Sequence, residues 1–181
     1  MLVLFVAFSS WLTRSKNLVR MCGIGLICVA GGLFLAGWTM NGTLLIGGVF
    51  ILAIGEILII PRISEYFSSI APKEERSQYL GYANLAWLLG LSGGGLVGGY
   101  LYQVLGEKSS FAIKYLESNF DLAGVGHSEA IMLLCDKTGL SEVDVIHLLW
   151  NTYSPWHFWI PFLAVGLLCA IGLFIFSRQG S

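Results

Sequence analysis

Charge is scarce in this sequence. Only 12% of the 181 residues are charged, 10 Lys and Arg against 11 Asp and Glu, where a soluble domain carries about 25%. That shortage excludes an ordinary soluble domain. With hydrophobic residues at 56% and a mean hydropathy of +0.76, the chain reads as a multi-pass membrane protein. The formal net charge of −1 carries no information about nucleic acid, and no nucleic-acid partner is expected. Histidine and cysteine are equally thin. His127, His147 and His157 are scattered without metal-ligand spacing and read as solvated or interfacial. Cys22, Cys28, Cys135 and Cys169 form no close metal-type pair, and three lie in apolar runs as small packers. Neither a disulfide, a metal nor a cofactor is expected. The opening MLVLFVAFSSWL lacks the basic start and small-residue cleavage site of a signal peptide. The spans also lack a nucleophile–base pair, so an enzyme is not expected.

What the sequence does contain is apolar runs. They cover about 1–12, 20–39, 43–70, 78–105 and 156–177. The first is shorter than the ~20 residues that span a bilayer. It is either a short or tilted helix, or the chain begins partway through one. The expected fold is all-α: a transmembrane bundle of five helices. The stretch 106–155 reads as an outer insertion with two short amphipathic helices lying against the ends of the spans. Gly139 stands where a helix C-cap would, and Ser141 opens SEVD, a capping-box-like start. Residues 178–181 form a short tail. No internal repeat is visible.

The few charges are unevenly spread. The links TRSKNLVR and RISEYFSSIAPKEER and the tail hold Arg14, Lys16, Arg20, Arg62, Lys73, Arg76 and Arg178. The opposite side holds the uncharged link TMNG and the 106–155 stretch. That stretch has only Lys108, Lys114 and Lys137 against Glu107, Glu117, Asp121, Glu129, Asp136, Glu142 and Asp144. The cation-rich side should be cytoplasmic. The C-terminus is then inside a cell (inner) membrane and 106–155 is extracytoplasmic.

The stretch from Gly55 to Tyr102 concentrates the candidate chemistry. Glu56 is a lone acid in a lipid-compatible run, and an intramembrane carboxylate is a functional hypothesis by default. Three readings stay open. It sits solvated near the bilayer edge, or it partners a cation such as Arg62 or a hydroxyl, or it is a proton or substrate site. Six residues separate Glu56 from Arg62, which is not the i, i+4 pairing arrangement. Asn84 either bonds a neighbouring helix or lines a polar cavity, with Trp87 less than a turn away. Gly90, Gly94 and Gly98 repeat every four residues, as do Gly95 and Gly99. Small residues at this interval let helix backbones approach closely. The face they form is a packing surface, and one able to slide in a conformational cycle.

Gly55-Glu56, four apolar residues and Pro61, then Ala71-Pro72-Lys73, Ser77-Gln78 and a Gly-rich helix, resemble the major facilitator superfamily. They match its tenth helix, cytoplasmic loop and eleventh helix, nearest to the proton-coupled oligopeptide transporters. TRSKNLVR is similar to the basic loop between the eighth and ninth helices, and the last span to the twelfth. The resemblance implies that Glu56 faces a central cavity and meets substrate, for example an amino group. Asn84, Trp87 and Arg62 are the other candidate substrate- or proton-binding residues. It also implies that the Gly face lies where the two halves of the carrier meet. Ala83 stands where the peptide branch carries Trp, and Arg62 where it carries a small residue. Five helices against the family's twelve make the chain the C-terminal portion of a proton-coupled symporter of a small solute or peptide. Its partners would be the bilayer, that substrate and an N-terminal half, without which it should not transport. The alternative is a stand-alone small membrane protein with a structural or assembly role.

Overall fold

The structure, a computed structural model, describes residues 18–179, and every regular element among them is helical. Helix α1 spans Leu18–Trp38, α2 Gly42–Ile70, α3 Arg76–Leu105, α4 Lys108–Phe120, α5 Ala130–Thr138 and α6 Glu142–Tyr153. A 3₁₀ turn, Pro155–Trp159, leads into α7, Ile160–Gln179. Four helical stretches, built on α1, α2, α3 and α7, are long and apolar enough to cross a membrane. The expected span at 1–12 lies outside the described residues.

Local chemistry sets the helix ends. The Asn41 carboxamide oxygen accepts the Thr43 N–H at 3.0 Å, and the Asn41 N–H donates to Thr39 Oγ1 at 3.1 Å. The tiny TMNG link is therefore a hydrogen-bonded N-cap rather than slack chain. At the far end of α2 the Ala71 N–H donates to the Phe67 carbonyl, and Pro72 has no N–H with which to continue.

The chain divides into two compact units, which among the described residues comprise 18–92 with 159–179, and 93–158. In the first, α1 is held on two faces. Toward α2 it presents Gly25 and Gly32, which meet Gly55 and Gly48. A Cβ on Gly32 would lie 2.5 Å from the Leu52 nitrogen and 2.6 Å from the Gly48 oxygen, and one on Gly55 would lie 2.6 Å from the Gly25 oxygen. Both glycine pairs are seven residues apart, close to two turns, so they form one antiparallel seam of backbone against backbone. Toward α7 it presents Gly23, Ala30 and Gly37, again at intervals of seven, which meet Phe174, Gly166 and Trp159. Gly23 and Gly25 are two residues apart, roughly 200° round the helix. The two stripes therefore face opposite ways, and only small residues let both neighbours approach.

Because α1 runs antiparallel to both partners, Arg20, the Arg62–Ile70 end of α2 and Arg178 gather at one end of this unit. The uncharged Thr39–Gly42 link and Trp159 lie at the other.

The second unit has its own core. Phe111, Ala112 and Leu116 of α4, Ala130 and Leu134 of α5, and Val145 and Leu149 of α6 bury one another. Phe111 stacks on Tyr153 with ring centroids 5.1 Å apart. The expectation of two amphipathic helices resting on the span ends is corrected here. Three short helices cover each other's apolar faces. The segment after α3 is a separate helix, broken from it at Gly106–Glu107. Gly139 caps α5 in the left-handed region at φ +68°, with its N–H on the Cys135 carbonyl at 2.8 Å. Ser141 caps α6, accepting the Asp144 N–H at 3.3 Å.

Candidate functional site

Glu56 is the midpoint of α2. Fourteen residues separate it from Gly42 and fourteen from Ile70, so it lies roughly 21 Å along the helix from either end at 1.5 Å per residue. Its side chain is exposed. Among the described residues no hydrogen bond or ion pair reaches its carboxylate. The face it occupies follows from the seam. Gly48 and Gly55 point at α1, whereas Glu56, Ile60 and Ile63 follow i, i+4, i+7 and lie roughly a third of a turn round the helix.

That second face borders a groove of about 360 Å³ between α2 and α3. Ile60, Ile63 and Ser64 form one wall; Leu80, Ala83, Asn84 and Trp87 form the other. Leu80, Ala83, Asn84 and Trp87 are again i, i+3, i+4, i+7, one face of a helix. The structure thus brings Asn84 and Trp87 together, with Glu56 one turn beyond Ile60 at the groove's inner end. Asn84 and Trp87 are exposed, and the Asn84 amide makes no hydrogen bond among the described residues. The Ser64 hydroxyl turns back to donate to the Ile60 carbonyl at 3.4 Å. An apolar wall, an indole, an amide and a carboxylate within two turns of each other suit a small solute carrying both apolar and cationic or polar groups.

Arg62 lies elsewhere. It continues the Gly48, Gly55 interval of seven, so it sits on the α1 face, buried at 4% exposure, and forms an ion pair with Glu65. It does not share the groove with Glu56. Pro61 next to it has no N–H to give the Ile57 carbonyl, yet the helix continues to Ile70.

The glycines of α3 have no close neighbours. A Cβ added to Gly90, Gly94, Gly95 or Gly99 would meet nothing within 4 Å, and no residue of α3 is buried. The close approaches belong instead to the seam glycines of α1 and α2. Reading the sequence missed Ile60, Ser64 and Leu80 as groove walls. The signal that could have found them is their i+4, i+8 spacing from Glu56 and their i−4 spacing from Asn84.

The fold defines an all-helical protein with helices able to cross a membrane. Compared with family models, curated proteins and solved structures, the chain matches none.

Proposed function

We propose that this chain supplies one wall of the central cavity of a secondary transporter, a proton-coupled symporter of a small solute or peptide. Glu56 is its coupling or substrate carboxylate, and Asn84 and Trp87 lie beside it. One observation carries the reading: a carboxylate at the midpoint of a 29-residue apolar helix, uncovered and unpaired among the described residues, on the face turned away from the packed seam. A charged group at the centre of a lipid-facing helix costs about 2.5–3.5 kcal/mol even on the lenient insertion scale. Such a residue belongs against a polar cavity or takes up a proton. Further helices, packed on the uncovered faces of α2 and α3, would close that cavity. The gathering of Arg20, Arg62 and Arg178 at one end supports a cytoplasmic placement for that end, with 106–155 outside.

The test is uptake in the native membrane, where any further helices of the assembly are present. An inward proton gradient should drive uptake of a labelled substrate from a panel of dipeptides and small solutes, and Glu56→Gln at equal expression should abolish it. Uptake by that variant at the unmodified rate ends the assignment of Glu56.

A second reading is a structural or assembly subunit, favoured by the wholly uncovered α3. An immunoblot against 106–155 separates the two. A band near the chain's own 19.7 kDa, with no gradient-driven uptake, supports the subunit.

A further inference from the structure

A second cavity, of about 310 Å³, opens among α1, α2 and α7. Val19 and Leu26, Ile59 and Phe67, and Leu173 and Phe176 are among its walls, and nearly all of its lining is apolar. Water is a poor occupant, because an apolar cavity without polar partners stays dry. In a bilayer the available apolar filler is a lipid tail.

The place of the cavity says more. Its walls come from the first turns of α1, the last turns of α2 and the end of α7, which is the end where the arginines gather. Arg20 stands between Val19 and Cys22 and is exposed; Arg178 follows Phe176 by two residues and is exposed. Arg62 is offset by its ion pair with Glu65. In the link after α2, Lys73 and Arg76 are offset by Glu74 and Glu75. By formal charge, Arg20 and Arg178 therefore leave the mouth net positive, and Arg14 and Lys16 precede α1 in the sequence with the same sign.

We infer that this crevice is a binding site for one anionic phospholipid. An acyl chain lies between α1, α2 and α7, and the phosphate meets Arg20 and Arg178. Basic pockets between membrane helices select acidic headgroups by this charge complementarity. The site is independent of the groove beside Glu56.

Native mass spectrometry of the full chain in mild detergent tests it, with phosphatidylglycerol and phosphatidylcholine added in competition. The chain should retain one phosphatidylglycerol. Its preference over phosphatidylcholine should fall about fivefold for Arg20→Gln, and by a similar further factor when Arg178→Gln is added. Leu26→Trp should fill the crevice and lose the lipid, while Ile24→Trp, whose side chain is exposed outside the cavity, should keep it. If Leu26→Trp fails to fold, the smaller plug Cys22→Leu takes its place. Equal retention of the two lipids, or retention unchanged by the arginine or plug variants, overturns the site. So does a full chain that binds phosphatidylglycerol only after deletion of residues 1–12, which would assign the crevice to that apolar run.

Discussion

One added methyl group tests the seam between α1 and α2. In Gly32→Ala the new Cβ would lie 2.5 Å from the Leu52 nitrogen, where ordinary contact begins at 3.4 Å. The obstacle is backbone, so no side chain can swing away. The helices must move apart by about 0.9 Å at that level (3.4 − 2.5). Such overpacking costs about 1–3 kcal/mol, because separation thins the contacts at Gly25, Gly48 and Gly55 as well. Gly48→Ala meets the Ala36 nitrogen at 2.6 Å and should cost a similar amount. The two methyls fill one gap, so the double variant should cost clearly less than the sum, with a coupling of about 0.5–3 kcal/mol. The neighbours supply controls. A Cβ on Gly31 or Gly47 meets nothing within 4 Å. Gly31→Ala and Gly47→Ala should cost nothing and can gain up to about 1 kcal/mol of helix propensity. The assay is unfolding of the purified chain from mild micelles by titration with a denaturing detergent, read by tryptophan fluorescence. If the seam variants unfold no earlier than the controls, or if their costs simply add, the backbone-to-backbone seam is refuted.

Two further outcomes use the same assay or a close relative. Gly94→Leu should leave unfolding of the chain within about 0.5 kcal/mol, as for a substitution that touches nothing, yet abolish uptake in the native membrane; early unfolding of the chain would contradict the open surroundings of that glycine. Leu134→Ala removes a fully buried side chain from the core of the second unit and should cost about 2–5 kcal/mol. It should appear as rapid protease cleavage within 106–155, and resistance equal to the unmodified chain would show that this core contributes little.

Much of the fold is legible because apolar runs map directly onto helices. The runs at 20–39, 43–70 and 78–105 correspond to Leu18–Trp38, Gly42–Ile70 and Arg76–Leu105. The caps at Gly139 and Ser141 are equally plain, since each depends on one residue and its near neighbours. The glycines are the instructive failure. A repeat of four within α3 is easy to see, but its surroundings in the chain are empty. The seam is a relation between two helices: 25 with 55 and 32 with 48 share the same sum, and no single helix displays that. Arg62 follows the same logic. Beside Glu56 in sequence it invites a place in the groove, but seven residues after Gly55 it belongs to the seam. In the outer stretch, amphipathic spacing marks which faces are buried and leaves open what buries them; Leu116, Leu134 and Val145 answer by burying one another. Asn84 and Trp87 were legible as a pair because i, i+3 spacing on one helix leaves little choice.

The two-faced packing of α1 has a consequence for how the protein is made. The partner of its first stripe, α2, begins four residues after Trp38 and emerges from the ribosome almost at once. The partner of its second stripe, α7, begins only at Ile160. At about 5–20 residues per second, the face of Gly23, Ala30 and Gly37 waits roughly 6–25 seconds for its own helix. During that interval a hairpin with one finished side and one bare, glycine-lined side sits in the membrane, open to any other helix being inserted nearby. The last helix to be synthesised is the one that ends this exposure, so loss of a few C-terminal residues would leave α1 half-covered and mark the chain for degradation.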